Sequence, residues 1–360
     1  MDPITRAELN RTTLHRQWLL ERATAPAART VEHLVGMQGQ NPHDPYWGLW
    51  SRLDGFQPDE LSTLISNRQA VRGQLLRATI HLATTSDFLG LRPQLQPVVS
   101  RTLGSTSFAR DTSEIDRPAL LAAGRSLLEK EPLTRAELGR RLGSRWPEVA
   151  SASLAQVVTY LLPVVQVPPR GLWGQSGTAR WTTIQSWVGS DLFPGWSVEE
   201  TVLRYLAVFG PASTSDIRIW SGLPGLKAVI DRLRRDLRTY RSESGTELLD
   251  LPDLEVIDGG TPAPPRFLPE YDNLLLGHAD RSRFFVDGVI PLGFTGNLMV
   301  DGLFSGAWKI VEERKATRLE ITMLRKVTSA QRREVTAEGE RLLGLVAPDQ
   351  GRPVMVWREM

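Results

Sequence analysis

One pattern occurs twice between residues 119 and 250. It is an amphipathic helix, a proline stop, a short capped helix, a glycine turn, a second helix and an apolar hairpin. In the later copy, apolar residues at helical spacing over 201–209 end at Gly210-Pro211. Ser213 or Thr214 can cap a short helix to Trp220, and Gly222, Pro224 and Gly225 make the turn. Leu226, Val229, Ile230, Leu233 and Leu237 then share one face of a helix over 226–237, and two extended runs flank a Ser-Gly turn. The earlier copy begins at 119, stops near Pro132, is capped by Thr134 and ends at Gly143. A helix over 153–165 and two short strands within 165–183 follow. Helix, turn, helix, hairpin is the layout of a winged helix. Pro132 and Pro211 stand 79 residues apart, about one small domain.

The flanks are read against that pattern. Residues 1–100 offer helices around Leu14–Leu19 and 28–40, and a helix running toward a strand over 60–77. An alternating strand over 79–85 and a capped helix from Ser86 follow, a layout that permits a third winged helix. After 260 the chain changes character. Residues 283–313 are short apolar runs broken by Gly and Asp-Gly, alternation continues through 316–327, and 329–346 is one amphipathic helix. The expectation is an α+β chain of three tandem winged-helix units, 1–100, 101–190 and 191–260, followed by a small β-barrel-like domain at 261–360.

Composition removes whole classes of chemistry. The 360 residues contain no Cys, which excludes disulfides, thiolate catalysis and Cys-ligated zinc or iron–sulfur centres. His15, His33, His43, His81 and His278 show no metal-ligand spacing, so no metal and no cofactor is expected. No P-loop, dinucleotide fingerprint or GxSxG occurs. No apolar run approaches 18 residues, and the first residues have no signal design, so a cytoplasmic protein is expected. Net charge is +2, and 38 of the 43 basic residues are Arg. A surface for nucleic acid would therefore be a local patch.

The unusual stretch is Met37-Gln38-Gly39-Gln40-Asn41-Pro42-His43-Asp44-Pro45. Gly39 loosens the backbone and Pro42 disfavours helical geometry at Asn41, so the amides of Gln38 and Gln40 can converge. A polar helix end with two capping amides is the plainer reading. Residues 34–53, LVGMQGQNPHDPYWGLWSRL, resemble the signature of the winged-helix DNA glycosylases of the AlkZ and YcaQ type. The likeness continues through 71–93, 210–223, 268–284 and 300–310, in the family's order. Gln38-Gly39-Gln40 places the chain with the AlkZ-like branch, which carries Gln-x-Gln where the other has Gln-x-Asp. The middle residue is usually hydrophobic, and Gly39 departs from that.

The resemblance implies a glycosylase for double-stranded DNA bearing bulky cationic N7-alkylpurines, some of them interstrand crosslinks. It implies self-resistance to an alkylating natural product, with Gln38 and Gln40 catalytic. A cationic base is already a good leaving group, so a placed water and stabilisation of the sugar cation suffice. The two amides are expected to hold that water through their carbonyl oxygens. Residues 1–129 contain no Lys, so a monofunctional enzyme without strand cleavage is expected, the alternative being that Lys130 or a distant C-terminal lysine folds near the site.

Asn41 and His43 follow the motif and are candidates for lesion or phosphate contact. Arg77, Thr79 and His81 alternate along the first unit's strand and match the family's stretch there. Tyr271, Asp272 and Arg281 match its PEYD…DR stretch, where an Asp–Arg brace is an equal reading. Arg232, Arg234, Arg235 and Arg238 lie on the third unit's candidate recognition helix, or form a solvated face. A monomer is expected, with an open cleft rather than a tight base pocket. The competing hypothesis is a non-catalytic tandem winged-helix regulator or adduct-sequestering protein.

Overall fold

The structure, a computed structural model, describes residues 1–193, 195–286, 291, 293, 295–313, 316–348 and 354–359. Asp287-Gly288, one of the turns read into 283–313, lies outside the described residues. The fold is mixed α+β.

Local caps set many helix starts. The Glu137 amide donates to Thr134 Oγ1, and the Glu137 carboxylate accepts the Thr134 amide at 2.8 Å, which starts Arg135–Gly143. Ser213 and Asp216 do the same for Thr214–Ser221, which Gly222 closes in the left-handed region. Thr328 and Gln331 start Ser329–Val346, over the expected range.

One order of elements occurs three times: helix, short strand, helix, helix, strand, strand. The first copy is Ala27–His33, Met37–Gln38, Asp44–Arg52, Pro58–Ser66, Ala70–Gln74 and Ile80–Thr84. The second is Arg117–Lys130, Leu133–Thr134, Arg135–Gly143, Ser151–Leu161, Val164–Val167 and Arg180–Thr183. The third is Val198–Phe209, the bridge of Ala212 to Leu249, Thr214–Ser221, Leu226–Leu233, Arg238–Ser242 and Glu247–Asp250. Its last helix stops at Leu233, where Arg234–Asp236 tightens into a 3-10 turn. Arg232, Arg234 and Arg238 are drawn into ion pairs with Glu199, Glu247 and Asp2.

The copies are joined rather than beaded. Strands of the first two form one antiparallel six-stranded sheet through the pairing of Arg72 with Gln166 and Gly73 with Val165. The N-terminal strand Asp2–Ile4 lies parallel to Arg238–Ser242 and completes the third copy's sheet. Behind it, Arg16 grips Asp250 with two hydrogen bonds of 2.6 and 2.9 Å, both side chains buried. The largest core runs across the first copy, the third and the C-terminal sheet through Leu49, Leu82, Trp220, Phe267 and Trp308. The second copy has its own core around Leu120, Leu138, Val158 and Trp181.

At the C-terminus the expected barrel-like closure gives way to an open five-stranded sheet. The order is Arg266–Leu268, Gly296–Val300, Leu303–Glu313, Ala316–Met323 and Val354–Glu359. The last strand is parallel to its neighbour, and a parallel pair needs a crossover, which Ser329–Val346 supplies. That helix packs on the sheet, against Arg266–Leu268 and Ala316–Met323, so apolar surface is covered by a helix rather than by closure. Among the described residues no helix is long and apolar enough to cross a membrane.

Candidate active site

The Gln-Gly-Gln stretch is a strand end, not a helix end. Val35 and Gly36, at φ 57° and 91°, reverse the chain after Ala27–His33. For a β-branched residue that conformation is strained, and Val35 is held in it by full burial. Met37 and Gln38 then pair antiparallel with Leu82 and His81. The Gly39 amide extends the ladder to Ile80 O at 2.8 Å, and Gly39 O accepts from buried Arg72 at 2.7 Å. There the chain leaves the sheet. Gln40 and Asn41 are exposed, Asn41 Oδ1 accepts the His43 amide at 3.2 Å, and Asp44–Arg52 begins with Pro45 in its first turn.

Gln38 is buried and anchored. Its Oε1 accepts from Arg77 Nη2 at 3.1 Å and from Thr79 Oγ1 at 3.2 Å. A guanidinium only donates, so the atom facing it is the amide oxygen. Both lone pairs are thereby used, and Gln38 presents its NH2 group. This differs from the expectation that both carbonyl oxygens hold a water. Arg77 also donates to Trp220 O at 2.9 Å, tying Gln38 to the third repeat. Arg77 and Ala78, at φ 55° and 58°, form the strained turn that aims Arg77 and Thr79 at Gln38. Burial, then the Arg281 charge, pushes the Arg77 guanidinium down to about 10, so it stays a cation at neutral pH. Arg281 itself is exposed.

His81 lies opposite Gln38 and is fully buried. Its Nδ1 meets Thr79 O at 3.1 Å, which fixes the proton on Nδ1, and Nε2 has no partner among the described residues. Burial, then Arg77, pushes its pKa down to about 3, so the ring is neutral at working pH. Asp272 is buried too. It takes two hydrogen bonds from Arg52, at 2.8 and 2.9 Å, and accepts the Leu274 amide at 2.9 Å. It is thus placed as a brace, with Arg52 and not Arg281 as its partner.

Gln38 and Asp272 also line a small, partly open cavity, together with Met37, Asp44, Arg52 and Tyr271. Its volume, about 10 Å3, is room for about one water. Outside it lies a cleft of about 200 Å3 lined by Asn41, His43, Asp44, Trp47, Trp308 and Lys309. A further hollow of about 450 Å3 continues past His43, Trp47, Trp173 and Ile310. Its aromatic wall is packed edge to face, with Trp47 5.7 Å from Trp308 and 5.1 Å from Trp173, and His43 6.2 Å from Trp173.

Arg77, Thr79 and His81 thus stand around Gln38, Tyr271 and Asp272 line the small cavity with it, Arg281 acts on Arg77 through its charge, and Asn41 and His43 line the outer cleft. Gln40 stands exposed at the strand's end, with no hydrogen bond to another described residue. Sequence reasoning missed Asp44, Trp47, Trp173, Trp308 and Lys309. Asp44 and Trp47 were inside the quoted stretch; the others arrive from distant strands and loops. Lys309 changes the amine argument, since it lines the cleft although residues 1–129 lack Lys, and its Nζ pairs with Glu320 at 3.3 Å. Among the described residues no group of His, Asp and Glu could hold a metal ion.

The family model of AlkZ-like DNA glycosylases matches residues 31–345. The chain belongs to that family. The solved structure of the Streptomyces sahachiroi DNA glycosylase AlkZ superposes with a TM-score of 0.77 over 99% of this chain and 100% of that one. At 19% identity the likeness is one of fold. No curated protein matches. Membership makes this AlkZ-like chain a DNA glycosylase, a hydrolase of N-glycosyl bonds.

Proposed function

We propose that this glycosylase excises bulky cationic N7-alkylpurine adducts from double-stranded DNA, unhooks crosslinks of that kind, and protects its bacterial producer from an alkylating natural product. It works in the cytoplasm, at the nucleoid when bound to DNA, as a monomer and without metal or cofactor. The three repeats are read as winged-helix units, at 1–100, 101–190 and 191–260, which carry the duplex to the site; 261–360 forms the wall of the cleft.

The observation that carries this reading is the position of Gln38. It stands in the wall of a one-water cavity whose neighbour is an open aromatic cleft of several hundred Å3. Room of that size suits a large flat substituent and does not demand a flipped base in a tight pocket. Gln38 offers N–H donors and Gln40 a free amide, and neither is an acid or a strong base. Such groups can orient water and sugar, so the base must leave by itself, as a cationic N7-alkylpurine does. The exposed Arg281 and the cleft residues Asn41 and His43 are assigned to phosphate and lesion. The Lys309 amine is engaged with Glu320, which favours hydrolysis without strand cleavage.

The test is base release, without divalent metal, from duplexes carrying one N7-methylguanine or one bulky N7-guanine adduct. Wild type is expected to release both, and Gln38→Ala/Gln40→Ala neither. Binding without release from either duplex would leave the sequestering reading in its place.

A further inference from the structure

Hydrolysis of a cationic nucleoside produces a proton. The C1′–N9 bond breaks with its electron pair going to the purine, which becomes neutral. Water oxygen bonds to C1′, and one water proton must go to an acceptor. The amides of Gln38 and Gln40 are too weak to be that acceptor, and Gln38 Oε1 is already occupied by Arg77 and Thr79.

We propose that Asp44 is this acceptor, a catalytic carboxylate that takes the proton from the water adding to C1′. The assignment rests on the glycosylase reading above. Asp44 and Pro269 are the two residues shared by the small cavity that Gln38 lines and the outer cleft. A proton taken up on the inner side can therefore leave toward solvent. Asp44 is 2% exposed and accepts the Tyr271 backbone N–H, while its Oδ2 has no partner among the described residues. A buried carboxylate oxygen beside a water-sized space is costly to leave unpaired, and a reacting water would satisfy it.

The other titratable groups nearby serve less well. His81 is held neutral, with no solvent path. Asp272 is locked to Arg52. Around Asp44 stand Glu270, Tyr271 and Asp272 on one segment, Arg52 on its own helix, His43 at that helix's start and Lys309 across the cleft. Burial, aided by the Glu270 and Asp272 charges, raises the Asp44 pKa from 3.8 to about 7. A base half-ionised near neutral pH suits proton uptake at working pH.

The experiment is single-turnover release of N7-methylguanine from a duplex between pH 5.0 and 8.5, corrected for spontaneous loss. DNA affinity is read in parallel by fluorescence anisotropy. Wild type is expected to rise with pH and level off above about 7. Asp44→Asn is expected to bind DNA normally, to fall on the order of 100-fold, the usual worth of a general base, and to lose the pH step. Asp44→Glu keeps a carboxyl and is expected to keep a step, which maintains the test if the Asn variant folds poorly. A wild-type profile flat across this range, or Asp44→Asn within threefold of wild type with the step intact, would overturn the assignment alone. No release by wild type would overturn the glycosylase reading beneath it.

Discussion

Replacing Asp44 by Asn should leave a mark on stability that owes nothing to catalysis. Burial, reinforced by the Glu270 and Asp272 charges, moves this carboxyl from 3.8 to about 7. The folded protein then holds the proton more tightly than the unfolded chain does. Wild type therefore loses stability as pH rises from about 4 to about 7, and the loss is complete above that range. Its size is about 4 kcal/mol. Asn cannot ionise and escapes this loss. It keeps an acceptor for the Tyr271 N–H but sets an NH2 group where Oδ2 has no partner among the described residues, at a pH-independent cost of about 1–3 kcal/mol. The variant should thus be the less stable protein at pH 4 and the more stable one at pH 8. For 360 residues unfolding together, the swing corresponds to about 5 °C in Tm. Differential scanning calorimetry of both proteins at one-unit steps from pH 4 to 8 reads it directly. A Tm difference that does not change with pH would refute the buried, unpaired state of Asp44 and the reasoning built on it.

Three other outcomes are expected. Asp272→Ala strands the Arg52 guanidinium, 1% exposed, without its partner, and should cost about 3–5 kcal/mol; a thermal shift near zero would deny the pair its bracing role. Arg281→Ala removes an exposed cation beside Arg77 and should lower the slope of log K against log salt for DNA binding by about 0.9, read by anisotropy; an unchanged slope would take Arg281 out of the interface. Borohydride added during turnover should trap no enzyme–DNA adduct; an adduct that disappears in Lys309→Ala would make this enzyme a lyase.

What could be read in the sequence was what is decided locally. Thr134 with Glu137 and Ser213 with Asp216 start their helices through partners three residues away, so the repeated pattern was visible as letters. What depends on pairing across the chain was not. Nothing near Asp2–Ile4 announces that it will lie parallel to Arg238–Ser242. The helix expected to reach Leu237 ends at Leu233, where Arg234 and Arg238 are held by Glu247 and Asp2. The same limit acts within the site. Gln38 and Gln40 were conspicuous as neighbours in sequence, but one is buried and one exposed. The orientation of the Gln38 amide is set by Arg77, 39 positions away. A lysine-free first third suggested no amine at the site, yet Leu303–Glu313 brings Lys309 there.

An open cleft raises a problem of discrimination that shape cannot solve. Several hundred Å3 of aromatic-lined space beside Gln38 excludes little by size, and undamaged purines vastly outnumber lesions. The protection must then lie in the chemistry. A neutral purine leaves only if a proton is delivered to its ring, and the groups around Gln38 are poorly equipped to do that. His81 stays neutral, Arg77 stays a cation bound to Gln38 and Trp220, and Asp272 is locked to Arg52. Asp44, half-ionised near neutral pH, can relieve water of a proton but is a weak acid toward a base less basic than itself. Above about pH 7, where Asp44 is ionised, the site accepts protons and has none to give, so it favours loss of bases that already carry their positive charge.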